Sequence, residues 1–354
     1  MMDRNDPRPD DPNVAHWTRE GFVGDSTYLL RPHHTPDFLA VEGPHVPQRL
    51  RLHDLALPDQ HDPAALPAPL LAAREGMRIS ASGRAAPMPF VVMNVEADEI
   101  YFLQEGRLEF ATDHGPLVAG PGDFVCLPRA IAYRVRPLAT PTLSVILEIP
   151  DAVELVPETL AGVEVTRPTP VPLPPGGETT LLVKAFDGIT RYTKPHDPLA
   201  VERLLGGTVP IWRLSLPDLA RRAPAGSGPP NPCAVSTSRR ELLYDLSARP
   251  RDRRPPIHQN ADYDEVYLYF AGPGAWGGVD EPGTLAWVPK GILHHGPRED
   301  VAEGYLAWLF DSRGTLRPTP VAQAAADLME PGQYGRHPTS RREARTVAAA
   351  SARA

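Results

Sequence analysis

His258, Glu265 and His294 are the residues of this chain whose types and spacing could do chemistry together. His258-Gln-Asn260-Ala-Asp-Tyr-Asp-Glu265 is followed seven residues on by Gly272, in the form H-x-N-x4-E-x6-G. After a Gly/Pro-rich stretch comes Gly283-Thr-Leu-Ala-Trp-Val-Pro289-Lys-Gly291-Ile-Leu-His294, in the form G-x5-P-x-G-x2-H. On a strand, His258 and Asn260 share one face because they lie two apart. Glu265 heads the alternating run Val266-Tyr-Leu-Tyr-Phe270, and Pro289-Lys-Gly291 turns the chain so that His294 returns on a later strand. Two imidazoles and one carboxylate are the donor set of non-haem Fe(II) oxygenases, which leaves positions open for substrate and dioxygen.

Taken singly, each of these residues reads as a core histidine or a solvated charge. Both motifs at full spacing are what point to metal. Asp264 rivals Glu265, but the glycine seven residues after Glu265 favours the glutamate. The paired motifs resemble those of the cupin superfamily, with Asn260 where the commoner pattern has another histidine.

The elements that must position these groups are short strands. Among 354 residues there are 44 Pro and 28 Gly, which favours turns and strands over long helices, while 42% hydrophobic residues suffice for a core. The length suits two domains. A formal net charge of −8 argues against nucleic acid or an anionic membrane as partner. Two cysteines, Cys126 and Cys233, make no disulfide framework, and the absence of an 18-residue apolar run predicts no membrane span and a cytoplasmic protein.

Residues 1–15 read as a polar arm, and His16 to Pro89 as a wrapping segment with few regular strands and a helical turn or two at Pro67–Arg74. From Phe90 the C-terminal spacing repeats. Glu99 precedes Gly106 by seven, and Gly122-x5-Pro128-x4-Tyr133 mirrors Gly283-x5-Pro289-x4-His294. This predicts an all-β bicupin of two jelly-roll barrels. Residues 1–165 would carry the arm and a metal-free barrel, and residues 166–354 the metal-binding barrel and a tail. Val92 stands where His258 stands, Asn94 for Asn260 and Tyr133 for His294; only Glu99 persists. Thr179–Lys184 and Gly188–Thr193 predict a hairpin, Val209–Ser215 a strand, Ala223–Pro232 a flexible loop, and Pro320–Met329 a short helix with Val321, Ala324, Ala325 and Leu328 on its apolar face.

The chain as a whole resembles homogentisate 1,2-dioxygenase-like bicupins from about residue 17 to 315. The resemblance rests on Asn94-Val-Glu-Ala-Asp-Glu99, Val183-Lys-Ala-Phe-Asp-Gly-Ile-Thr-Arg, Asp197-Pro-Leu-Ala-Val201, Gly206-Gly-Thr-Val-Pro210, and His258-x-Asn260 with His294. It implies one Fe(II) on His258, Glu265 and His294, O2-dependent opening of a dihydroxylated aromatic ring, and trimer-based homo-oligomers. The family has three residues between Asn and Glu of the metal motif where this chain has four. Its middle segment also carries a histidine that handles the substrate's phenolic proton, and Leu205 falls on that position. Leu cannot accept a proton. His295 is the nearest substitute, with Asn260 beside the ligands, while Tyr267, Tyr269 and Trp287 could line an aromatic pocket and Arg253 and Arg254 could pair a substrate carboxylate. Two other functions fit the same motifs: O2-independent isomerisation, hydration or decarboxylation, and non-enzymatic binding of a small molecule.

Overall fold

A computed structural model describes residues 13–21, 23–33, 40–222, 231–247, 257–273, 279, 281–294 and 303–329. The first half carries β1 (Val14–Glu20), β2 (Val23–Leu30), β3 (Gln48–Arg51), β4 (Ala68–Ala72), β5 (Arg78–Ser82), β6 (Val91–Asn94), β7 (Asp98–Thr112), β8 (Gly115–Ala119), β9 (Asp123–Leu127), β10 (Ala132–Ile149) and β11 (Val153–Leu155). There follow β12 (Val165–Thr166), β13 (Thr179–Ala185), β14 (Gly188–Lys194), β15 (Trp212–Ser215), the helix α1 (Leu216–Arg221), β16 (Ala234–Ser236) and β17 (Glu241–Ser247). The last are β18 (Ile257–Asn260), β19 (Asp264–Ala271), β20 (Thr284–Val288), β21 (Leu306–Ser312), β22 (Arg317–Pro318), the helix α2 (Pro320–Ala325) and β23 (Asp327–Leu328). The fold is all-β.

Alternation builds two interiors and one shared core. On β19, Tyr267 and Tyr269 enter the second barrel's interior with Tyr244, Ala286 and Leu309. Val266, Leu268 and Phe270 point the other way and pack against Ile100, Phe102 and Phe124 of the first barrel. On β7 the same period sends Tyr101 and Leu103 inward and Ile100 and Phe102 to the shared core. Ring centroids 5.4 Å apart for Phe102–Phe270 and 5.7 Å for Phe102–Trp308 mark the seam, both edge-on as ring quadrupoles prefer.

Strand pairing crosses the 165/166 boundary in both directions. The β1–β2 hairpin lies along β18 of the second barrel, in parallel, with His16 opposite His258 and Thr18 opposite Asn260. In return the β13–β14 hairpin lies along β6 of the first barrel, with Leu182 opposite Val92 and Lys184 opposite Asn94. β3 pairs with β20, and β22 with β4. Each barrel is thus completed by strands from the other half of the sequence.

Several expectations need correction. The stretch before Pro89 holds β1 to β5, beginning at Val14 within the supposed arm. Pro67–Arg74 contains β4, not a helical turn; Pro69 lacks the N–H a helix interior would use, and the strand instead pairs with β5 through a register shift between Pro69 and Leu71. The C-terminal helix ends at Ala325 and buries Ala322, whereas Val321, Ala324 and Ala325 face outward and Leu328 belongs to β23. The predicted hairpin is β13–β14, and the strand expected at Val209–Ser215 is Trp212–Ser215. The loop expected at Ala223–Pro232 lies outside the described residues except for its last two. So do the basic runs at Arg253 and Arg254 and at Arg336–Arg345. Among the described residues no helix is long and apolar enough to cross a membrane.

Candidate metal centre

β18 and the end of the Pro289-Lys-Gly291 turn hold the two histidines side by side. His258 N donates to His294 O at 2.8 Å and His294 N donates back to His258 O at 2.9 Å, which brings the imidazole centroids to 4.3 Å. The turn itself is pinned where Gly291, at φ +78°, donates to the Asn260 carbonyl at 2.7 Å. Glu265, at the head of β19, points into the same space. Its Oε2 lies 2.7 Å from His294 Nε2, and its Oε1 lies 3.5 Å from His258 Nε2. All three side chains are buried, and one ligand atom from each lies within 4.8 Å of the others.

Asp264 faces away. It accepts from Lys290 N at 2.9 Å, Leu316 N at 2.8 Å and the Trp287 indole at 3.3 Å, and so clamps the turn from behind. Asp98 does the same in the first barrel, accepting from Arg129 N and Val153 N.

The surroundings fix each donor. Asn260 Nδ2 donates to Glu265 Oε1, and Asn260 Oδ1 accepts from the Thr18 hydroxyl at 2.9 Å. His294 Nδ1 lies 2.8 Å from the Ile292 carbonyl, which can only accept, so Nδ1 carries the proton and Nε2 presents its lone pair towards Glu265. A lone pair facing a carboxylate oxygen at 2.7 Å requires a cation, either a proton or a metal, between them. Burial alone would raise the Glu265 carboxyl, but the His294 and His258 imidazoles hold it well below the usual carboxylate range. Burial would likewise lower His294, and the charge of Glu265 reverses the sign and raises it.

The first barrel supplies an internal comparison. Val92 pairs with Tyr133 as His258 pairs with His294. Asn94 Nδ2 donates to Glu99 Oε1 at 3.0 Å, and the Tyr133 hydroxyl donates to Glu99 Oε2 at 2.6 Å. Glu148 lies opposite Glu99 in register, as Asp311 lies opposite Glu265. Between the two carboxylates of the first barrel sits Lys184 Nζ, 3.2 Å from Glu99 Oε1 and 2.8 Å from Glu148 Oε2. The first barrel therefore carries its own cation. In the second barrel the position of Lys184 is taken by Thr18, which is neutral. Burial, and after it the charge of Glu265, push Asp311 well above the usual carboxylate range. The donor set fits a divalent metal, since it combines a convergent His/Glu/His triad with a neutral residue where the twin site has an ammonium.

Of the other sequence-predicted residues, Tyr267 and Tyr269 lie on the barrel's inner wall, the first hydrogen-bonded to the Tyr305 hydroxyl and the second to the Gly272 carbonyl. Trp287 belongs to the core between the barrels, not to that wall. Asn260 contacts the triad as a support for Glu265. His295 lies outside the described residues. Leu205 is 84% exposed on the surface. Sequence reasoning missed His16, Thr18, Asp311 and Lys184. The period-two spacing of His16 and Thr18 is a strand signal, yet nothing local names a partner strand about 240 residues away.

The chain is similar to homogentisate 1,2-dioxygenase of Bradyrhizobium diazoefficiens, with 24% identity over 282 residues, covering 67% of this chain and 60% of the relative. It is similar to the enzyme of the same name from Rhodopseudomonas palustris, with 23% identity over 269 residues, 67% of this chain and 56% of that one. The chain thus spans about three fifths of the length of these curated relatives. No family model matches it. Among solved structures, the protein Ylba from E. coli aligns at a TM-score of 0.38 and 9% identity, covering 78% of this chain and 93% of that one. A variant of oxalate decarboxylase OxdC from Bacillus subtilis aligns at 0.35 and 10%, covering 81% of each.

Proposed function

We propose that His258, Glu265 and His294 hold one Fe(II), and that the chain uses O2 to open the ring of a dihydroxylated, homogentisate-like aromatic. The observation that carries this is the triad itself, with three ligand atoms within 4.8 Å, a histidine lone pair fixed towards them, and no protein ammonium at the position Lys184 fills in the twin barrel. The distant relatives named homogentisate 1,2-dioxygenase support the reaction class. When bound, Fe(II) supplies Lewis acidity towards the oxygens of an aromatic diol and the one-electron chemistry that dioxygen requires.

The chain's own part is positional. Asn260 and Thr18 set the rotamer of Glu265, the Ile292 carbonyl sets the tautomer of His294, and Tyr267, Tyr269, Ala286 and Leu309 present an apolar inner wall that keeps water from the reacting groups.

The test is metal content per chain by mass spectrometry after anaerobic Fe(II) reconstitution, followed by oxygen uptake on a panel of hydroquinones and catechols that includes homogentisate. The expected result is about one iron per chain, lost in His294→Ala, and O2 consumption with at least one diol. Retention of iron in His294→Ala sinks the ligand assignment. Because Leu205 offers no proton acceptor, a second reading keeps the metal but not O2, namely isomerisation, hydration or decarboxylation. Turnover under strict anaerobiosis decides for it, whereas loaded protein inert on every substrate leaves a binding role.

A further inference from the structure

His16 is an imidazole for which the metal triad has no use. The Thr18–Asn260 hydrogen bond, 2.9 Å long, shows which face of β1 looks into the barrel, and alternation puts His16 on that face beside its register partner His258. The ring is 7% exposed and stacked on Tyr28, with centroids 4.1 Å apart and planes 5° from parallel, so its direction is fixed. Its Nε2 is buried and has no hydrogen-bond partner among the described residues. A buried polar atom without a partner is destabilising, and a bound ligand would relieve it. His16 is not in the group of ligand atoms within 4.8 Å of one another, so it stands next to the chelating set, not within it. The metal-free barrel has Leu182 at this register position, opposite Val92. The three imidazoles His16, His258 and His294 are thus replaced together by Leu182, Val92 and Tyr133.

We propose that His16 Nε2 hydrogen-bonds a hydroxyl oxygen of an aromatic diol seated on the triad, and so orients the substrate from the N-terminal hairpin. This rests on the reading of the site given above.

The probe is 4-nitrocatechol, titrated optically without O2 into protein loaded with Zn(II), so that binding is read without turnover. His16→Phe keeps a ring to stack on Tyr28 but has no Nε2, and His16→Gln restores a polar end. Wild type and both variants should hold about one zinc per chain. His16→Phe should weaken 4-nitrocatechol by about tenfold or more, and His16→Gln should recover most of that loss. Equal affinity in wild type and His16→Phe overturns the proposal, and so does loss of zinc in both variants, which would make His16 a metal ligand. If His16→Phe does not fold, His16→Gln against wild type decides, and affinity below that of wild type by more than about tenfold with zinc retained counts against the proposal. A wild-type protein that holds zinc but no nitrocatechol removes the diol reading of the site, and this inference with it.

Discussion

Thr18 has no chemistry of its own, yet it decides which way Asn260 points. Its hydroxyl donates to Asn260 Oδ1, which leaves the amide nitrogen for Glu265 Oε1. Thr18→Val keeps the shape and removes the donor, so that a buried oxygen loses its partner at a cost of about 1–3 kcal/mol. Supports of this kind typically contribute 10–100-fold in metal affinity, and Thr18→Val should weaken zinc by about tenfold in a chelator competition. An unchanged zinc affinity would mean that Glu265 needs no orienting. Lys184 poses the complementary question in the first barrel. Burial lowers an ammonium, but Glu99 and Glu148 more than offset this and raise Lys184 above the ordinary lysine value of 10.5. A raised pKa means that the ion pair stabilises the fold fully below 10.5, and that this contribution is lost as pH climbs through the higher folded value. Lys184→Met should therefore be destabilised by about 3–5 kcal/mol at neutral pH, since Glu99 and Glu148 lose the ammonium that sits between them. The gap to wild type should narrow in denaturant titrations carried above that ordinary value. A gap independent of pH would show that Lys184 acts by packing alone.

At the scale of elements, the duplicated motif rests on turns that only certain backbones can make. Gly106 and Gly272, each seven residues after a glutamate of the motif, have φ of +78° and +92°. A Cβ on Gly272 would lie 1.9 Å from the Gly304 carbonyl oxygen, and one on Gly106 would lie 2.5 Å from that of Pro141. Gly272→Ala should cost at least about 2 kcal/mol, from left-handed strain plus a backbone that must shift. Gly120→Ala, with nothing within 4 Å of its Cβ, should leave the melting temperature nearly unchanged. Equal melting of Gly272→Ala and wild type would contradict the geometry. These glycines were legible because turn chemistry is local, and the same locality exposed the His258, Glu265 and His294 spacing and the lost ligands Val92 and Tyr133. The strands before Pro89 were not legible. Their hydrophobic faces are complete only against strands far along the chain, such as β18 for β1 and β20 for β3. Pro69 within β4 reads as a breaker until its pairing with β5 is seen. For the same reason no spacing rule could bring His16, Asp311 or Lys184 to the sites they serve.

Over the whole molecule, the exchange of hairpins makes each barrel depend on the other half of the chain. The second barrel's metal strand β18 is flanked by β1, and its β20 is covered by β3, so residues 166–354 alone would leave the His258 strand with an unpaired edge. Residues 1–165 alone would lack β13 beside β6, the Lys184 ammonium between Glu99 and Glu148, and β15 beside β9. The shared core would also open. Phe102, Phe124, Phe270 and Trp308 pack across it, and each half would expose its share to water at roughly 25 cal/mol per Å². Unpaired edges and an apolar face together favour aggregation. The intact chain should therefore melt in one transition, with circular dichroism and tryptophan fluorescence coinciding. Residues 1–165 and 166–354 expressed apart should show no cooperative melt and no zinc, and co-expression should restore both. A C-terminal half that folds alone and holds one zinc would mean that β1 is an attachment to the metal barrel, and His16 with it, not one of its walls.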